Sequence, residues 1–215
     1  FATAIEESVR VLDCAHTEAI SVPGGIGLVK LMGRHAGFIT AGATVASQDV
    51  NFALIPEVPF KMNSFLEALA HRMRTKSHAL IAVAEGAGQD LLDKSLEFDA
   101  SGNRRLKDIG RFLRTMIEEH LIREGVPCVM RYFDPSYQVR SRPANSQDAL
   151  LCDLFARNAV HAAMAGKTGL IIGRIHDLFV HVPIALLACR EKRLDPGSAW
   201  WSSVLAATGQ PPVFM

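Results

Sequence analysis

Apolar and polar positions along this chain repeat with two different periods, and the changes of period predict its elements. In "ATAIEESVRVLDCAHTEA" the residues Ala4, Ile5, Val9, Leu12 and Ala15 fall on one helical face, with acids in the first turn. "GIGLVKLM" is an apolar, partly β-branched strand, and "AGFITAGATVAS" after it is a helix of small residues. "FALIPEVPF" begins as a short buried strand that its prolines stop. "SFLEALAHRMRTK" reads as a helix with its acid near the start and its bases near the end. "HALIAVAEG" is a strand with a glycine-rich exit. "RRLKDIGRFLRTMIEEHLIREG" is an amphipathic helix closing on Gly125, and "VPCVMRYF" is a strand. "NSQDALLCDLFARNAVHAAMAG" has an Asn/Ser cap, helical spacing and Gly166 as terminator, and "TGLIIGR" is one more strand.

Strands separated by helices of roughly ten to twenty residues imply βαβ units. The expected fold class is α/β: a mainly parallel sheet in three layers, Rossmann-like, with helices on both faces. Such sheets take ligands at the carboxyl ends of their strands, so residues just after each strand are the candidates. The most hinge-like stretch is "DPSYQVRSRPANSQD", residues 134–148, rich in Pro, Ser and Asn.

Composition narrows the classes. Net charge is +1 with 21% charged residues, so no basic field points to nucleic acid or an anionic membrane. The longest apolar runs are far too short to span a bilayer. Cys14, Cys128, Cys152 and Cys189 lie far apart without a Cys-x-x-Cys pair, which argues against structural zinc or a disulfide framework and for a reducing cytoplasm. The eight histidines show no metal-ligand spacing; His176 and His181 are five apart but lack neighbouring ligands. No Gly-x-Ser-x-Gly elbow, Walker A motif or dinucleotide fingerprint follows a strand. The chain opens on Phe1, already within helical periodicity, and reads as a piece of a longer protein.

The strand exits carry the chemistry. Gly33-Arg34-His35-Ala36-Gly37 offers a tight turn, a guanidinium fork suited to phosphate, and the unpaired N–H groups of the following helix. The same residues also read as a compact turn with Arg34 in solvent. Glu57, between Pro56 and Pro59, suits sugar hydroxyls, or else it is a surface acid or a charge at a helix N-terminus. Glu85-Gly86-Ala87-Gly88 reads better as a cap and turn. "RYFDPSYQVRSR" gathers Arg131, Arg140 and Arg142 with two tyrosines. Converging guanidinium groups there would suit a phosphate dianion, each charged hydrogen bond contributing about 1.5–3 kcal/mol; a basic loop without partner is the alternative.

Together these exits resemble one family. "GLVKLMGRHAGFITAGATVASQDVNFALIPEVPF" resembles the sugar-binding half of the phosphofructokinases. "DPSYQVRSRPANSQDALLCDLFARNAVHAAMAGKTG" and the terminal "AWWSSVLAATGQPP" resemble its plant-type branch, related to the pyrophosphate-dependent enzymes. The likeness spans essentially the whole chain. It implies transfer of a phosphoryl group from ATP to the 1-hydroxyl of fructose 6-phosphate, with pyrophosphate as alternative donor and Mg²⁺ accompanying either. A non-catalytic sugar-phosphate-binding regulatory subunit is a further alternative.

By resemblance, Met32, Gly33 and Arg34 hold fructose 6-phosphate, with Arg34 also facing the transferring phosphoryl group. Glu57 binds sugar hydroxyls. Tyr137 and Arg140 reach the 6-phosphate, Tyr137 standing where the bacterial-type branch has histidine. Arg131 matches a position that reaches the sugar phosphate of a neighbouring subunit, so a homo-oligomer, dimer or tetramer, is implied. Where bacterial-type members carry an arginine seven residues before the methionine, this chain has Gly25, so the resemblance supplies no second contact of that kind. The family's Thr-Ile-Asp-x-Asp stretch, source of the catalytic base, and its Gly-Gly-Asp donor loop with Mg²⁺ are absent from the sequence; the resemblance places both upstream of Phe1. It further implies residues 1–140 as the sugar domain, 141–190 as a segment packing with the nucleotide-binding part, and 191–215 as a return. Residues 141–190 would then expose apolar surface that favours association.

Overall fold

The computed structural model describes residues 1–92, 102, 106–187 and 191–215. Its elements run α1 (Ala2–Ile20), β1 (Gly25–Leu31), α2 (Phe38–Ser47), β2 (Phe52–Leu54), α3 (Met62–Lys76), β3 (His78–Ala84), α4 (Ile109–Arg123) and β4 (Val129–Phe133). They continue with α5 (Ser136–Arg140), α6 (Ser146–Met164), β5 (Leu170–Ile175), β6 (Leu178–Pro183), α7 (Ile184–Leu187) and α8 (Ala199–Thr208). The chain divides into two units, one of Ala4–Ser141 with Arg193–Met215, the other of Phe1–Thr3 with Arg142–Lys192.

In the first unit, β1 to β4 form a wholly parallel sheet in the order β2-β3-β1-β4. The alternation of side chains along β1 sorts two cores. Ile26 and Leu28 point to the face covered by α3 and α4, among Phe65, Leu69, Leu113 and Ile117. Val29 and Leu31 point to the opposite face, among Leu12 and Ala15 of α1, Ala41 of α2 and Trp201 of α8. These are the three layers predicted from the alternating pattern. On the first face Phe65 meets Phe52, Phe60 and Phe214 at centroid distances of 5.6, 5.8 and 5.6 Å, edge to face. Each such pair contributes about 0.5–1.5 kcal/mol beyond area burial.

The outer edge of β2 is closed by a side chain. Gln210 Oε1 accepts from the Ala53 N–H at 2.6 Å, and its Nε2 donates to the Ala53 carbonyl at 3.2 Å. The buried amide thus occupies the place of a neighbouring strand's peptide group.

Three helix starts differ from the sequence reading. Because α1 begins at Ala2, its first turn holds no acid; Glu6 and Glu7 lie a turn further on, where both bond Arg10 at 2.8 and 3.0 Å. Glu67 likewise falls beyond the first turn of α3, while Arg74 and Lys76 do occupy its last turn. The helix read from Arg104 starts at Ile109, since Asp108 caps it by accepting from the Gly110 and Arg111 amides at 3.1 and 3.2 Å. Arg104 and Arg105 lie outside the described residues.

In the second unit, α6 is capped by Asn145 Oδ1, which accepts from the Asp148 amide at 3.0 Å, and Gly166 follows its end at φ +69°. "TGLIIGR" does form a strand, but β5 pairs antiparallel with β6 in a two-stranded hairpin and does not extend the parallel sheet. The hairpin turns on His176-Asp177, with His176 at φ +54° and Arg174 bonding the His176 carbonyl and the Asp177 carboxylate at 3.0 and 2.7 Å. Leu150, Val160, Met164, Ile171, Ile175 and Leu178 are exposed in this unit. Among the described residues Cys14, Cys128 and Cys152 are free thiols; Cys189 lies outside them.

Candidate functional site

Parallel strands deliver their carboxyl ends to one edge, and the register says which loops meet there. Val29 stands beside Phe133 and Leu31 beside Ala84, so the exits of β1, β3 and β4 are neighbours. The exit of β1 carries Met32, Gly33 and Arg34; the exit of β4 leads within three residues to α5 with Tyr137 and Arg140. The two segments that the sequence nominated therefore leave adjacent strands at the same edge.

The β1 loop is held by its neighbour from β3. Leu31 accepts from the Glu85 amide at 2.9 Å, Gly33 accepts from the Gly86 amide at 3.1 Å, and the Gly33 N–H reaches Glu85 Oε1 at 3.5 Å. Gly33 lies at φ +151°, in the region that favours glycine. A Cβ on Gly86 would stand 1.9 Å from the Arg34 carbonyl oxygen, so only glycine permits this approach. The Glu85-Gly86 exit, read as a cap and turn, serves to seat the loop bearing Arg34. Met32 and Arg34 are half-buried and His35 is exposed.

Glu57 takes the position at a helix N-terminus that the sequence left as an alternative to sugar contact. Both of its carboxylate oxygens lie 3.0 Å from the Gly37 amide ahead of α2, and Oε1 also accepts from the Leu194 amide at 2.8 Å. The expectation that this helix offers unpaired N–H groups to a ligand is corrected at Gly37, whose amide is engaged by Glu57. The helix dipole favours that placement by about 0.3–1 kcal/mol. Two carboxylate oxygens carry about four acceptor sites, so the group retains capacity for hydroxyl donors.

On α5 the Arg140 guanidinium carbon lies 5.3 Å from the Tyr137 ring centroid, and its Nε donates to the Ser136 carbonyl at 3.2 Å. Both side chains are exposed, and among the described residues no carboxylate pairs with Arg140. Arg131 does not join them. It lies mid-strand on β4 beside Gly27, and its Nε faces Glu18 at 3.5 Å near the end of α1. Arg142 belongs to the second unit. The convergence of three arginines read from "RYFDPSYQVRSR" thus reduces to Arg140 with Tyr137 near this edge.

One cluster escaped the sequence reading. Lys30 interrupts the apolar run of β1, and its Nζ lies 2.8 Å from Asp134 and 3.2 Å from Asp108. The Tyr132 hydroxyl donates to Asp108 at 3.0 Å. Burial pulls the Lys30 ammonium toward neutrality, but the hydrogen bonds to Asp134 and Asp108 outweigh it and hold it above the ordinary lysine range. Burial opposes ionisation of Asp108 and Asp134 too, and again the hydrogen bonds win, keeping both below the usual carboxylate range. Burial pushes the Tyr132 hydroxyl up to about 12. The signal available beforehand was a lone lysine inside a buried strand, a position that demands a partner.

Gly25 now has a structural reason. A Cβ there would stand 2.0 Å from the Ala19 carbonyl oxygen, so no arginine fits without moving the end of α1. Among the described residues no group of three His, Cys, Asp or Glu could hold a metal ion, and no helix is long and apolar enough to cross a membrane.

Comparison with known proteins gives a consistent result. A family model described as Phosphofructokinase matches residues 1–163. The chain is 45% identical over its whole length to an ATP-dependent 6-phosphofructokinase of Amycolatopsis methanolica, covering 49% of that protein. It is 42% identical to the chloroplastic ATP-dependent 6-phosphofructokinase 5 of Arabidopsis thaliana, over 98% of this chain and 40% of that one. A pyrophosphate-dependent phosphofructokinase from Marinobacter aquaeolei shares the fold, with TM-score 0.71 at 19% identity over 96% of this chain and 54% of that one. The chain spans about half the length of the curated relatives it matches.

Proposed function

Since the chain belongs to the phosphofructokinase family, we propose that it is the sugar-phosphate-binding portion of an ATP-dependent 6-phosphofructokinase. The reaction is transfer of a phosphoryl group to the 1-hydroxyl of fructose 6-phosphate. The observation that carries the reading is the shared sheet edge, where the Met32-Gly33-Arg34 loop and the Tyr137–Arg140 helix leave neighbouring parallel strands. Relatives named ATP-dependent, at 37 to 45% identity, favour ATP over pyrophosphate.

Phosphoryl transfer asks the protein for alignment and for positive charge around the transferring group. In this reading Arg140, paired with no carboxylate among the described residues, and Tyr137 grip the 6-phosphate. Met32, Gly33 and Arg34 hold the sugar, and Arg34 faces the group in transit. The remaining acceptor sites of Glu57 take sugar hydroxyls. Arg131 exchanges its exposed and weak Glu18 contact for the phosphate of a neighbouring subunit in a homo-oligomer. Residues 141–190 pack with the nucleotide-binding part, and the cytoplasm is the proposed location. Among the described residues no cluster of carboxylates, histidines or cysteines fits a Mg²⁺ site. The base for the 1-hydroxyl belongs to the Thr-Ile-Asp-x-Asp stretch, which this sequence lacks.

The test is steady-state kinetics of the full-length protein with Arg140→Ala. Loss of one charged hydrogen bond should raise KM for fructose 6-phosphate at least about tenfold, leaving KM for ATP unchanged. Equal loss for both substrates would refute the assignment.

A further inference from the structure

We propose that Lys30 is a positioning residue for phosphate recognition: it joins the strand that leads into the Arg34 loop to the turn that launches the helix bearing Tyr137 and Arg140. The inference rests on the reading of the site just given, and it assigns work to residues that touch no substrate.

A continuous chain of contacts carries it. Lys30 Nζ bonds Asp134 Oδ2 at 2.8 Å. The other oxygen of Asp134 accepts from the Ser136 hydroxyl at 2.5 Å and from its amide at 3.3 Å. Ser136 is the first residue of α5, and its carbonyl accepts from Arg140 Nε at 3.2 Å. Two residues, Asp134 and Ser136, thus connect a β1 side chain to the guanidinium assigned to the phosphate. Behind Lys30, Asp108 fixes the other side of the ammonium and is itself held by Tyr132 and by the first amides of α4.

The placement is deliberate in the pleat. Lys30 follows Ile26 and Leu28 on the face covered by α3 and α4, where an apolar residue would continue the core. Its side chain is only 13% exposed, so the charge needs the two carboxylates and they need it. A five-residue helix such as α5 has little intrinsic stability and takes its orientation from such an anchor.

A second effect must be separated. Lys30 also neutralises two carboxylates close to the proposed phosphate pocket, so its loss would repel a dianion without moving anything. The two causes differ in sign for the partner residue. If position matters, both Lys30→Met and Asp134→Ala raise KM for fructose 6-phosphate. If only the field matters, Lys30→Met raises it and Asp134→Ala lowers it.

The experiment compares the full-length protein with Lys30→Met, Lys30→Arg, Asp134→Ala and Arg140→Ala, each checked for folding by circular dichroism. The expected result is KM for fructose 6-phosphate raised about tenfold in Lys30→Met and Asp134→Ala, with kcat and KM for ATP within about twofold. Lys30→Arg should restore most of the loss. A lowered KM in Asp134→Ala, or an unchanged KM in a folded Lys30→Met, overturns the inference. Arg140→Ala keeps the two ideas apart. If it raises KM and Lys30→Met does not, only the positioning role falls; if it changes nothing, the reading of the site falls first.

Discussion

The amide of Leu194 donates to Glu57 Oε1 at 2.8 Å, across 137 positions of sequence. The same carboxylate holds the Gly37 amide ahead of α2. One side chain therefore fixes both the start of a helix and the point where the chain rejoins the first unit. Glu57→Ala should cost about 1–3 kcal/mol, as expected when two part-buried donors lose their acceptor. Glu57→Gln, which keeps one carbonyl oxygen, should cost less. Urea denaturation monitored by far-UV circular dichroism measures both, and equal stability of wild type and Glu57→Ala would refute the double role.

Gly86 offers a test of the loop bearing Arg34. Its added Cβ would meet backbone, not a movable side chain, at 1.9 Å, so Gly86→Ala must shift the Arg34–His35 peptide. The expected cost is about 1–3 kcal/mol, the range for overpacking at a rigid contact. A control is Gly209→Ala, which meets no atom within 4 Å and costs only the strain of its φ of +66°. In the full-length protein Gly86→Ala should also weaken fructose 6-phosphate, while Gly209→Ala leaves its KM alone.

The Lys30 cluster gives a pH dependence with a defined sign. Asp108 and Asp134 have pKa values lowered by folding, so their contribution is present above the ordinary Asp range and is lost as pH falls through their folded values. The Lys30 value is raised, so its contribution is present below the ordinary lysine range and is lost only as pH rises through the folded value, above it. The stability difference between wild type and Lys30→Met should be flat from about pH 5 to 9 and shrink below about pH 4. Urea midpoints across that range measure it. A difference that persists undiminished at the acid end would show that the lysine acts by packing alone. Because Asp108 and Asp134 are both about a third exposed, added salt should also reduce it.

The thiols should separate by reactivity. Burial, aided by the charge of Glu118, pushes the Cys128 thiol up to about 11, whereas Cys14 and Cys152 are exposed. In a Cys189→Ser background, alkylation at pH 8 should label Cys14 and Cys152 first, with half-buried Cys128 reacting more slowly. Peptide mass mapping over time reads the order. Labelling of Cys128 as early as Cys14 would contradict the raised pKa of its thiol.

What the sequence made legible was local. β1 and β3 announced themselves because strands buried on both faces are continuous apolar runs, and their glycine-bearing exits marked the edge at which such sheets take ligands. Asn145 and Gly166 bracketed α6 for equally local reasons. What remained hidden depends on distant partners. Nothing in "TGLIIGR" says that its neighbour is the hairpin mate Leu178–Pro183. α8 buries Trp201 and Val204 but is apolar around much of its circumference, so its period is faint. The contact of Glu57 with Leu194 and the contacts of Lys30 with Asp108 and Asp134 join residues that no window spans. Arg131 was grouped with Arg140 by proximity in sequence, yet a strand sends its side chain toward Glu18.

Gln210 has a consequence for how copies of this protein can meet. By lending its amide to Ala53, it leaves the β2 border without the open donor and acceptor row that an incoming chain would need. Among the described residues, β4 is then the flank where this parallel sheet could be continued by another molecule. Oligomers built on the β2 side must instead join through side chains on helices and loops.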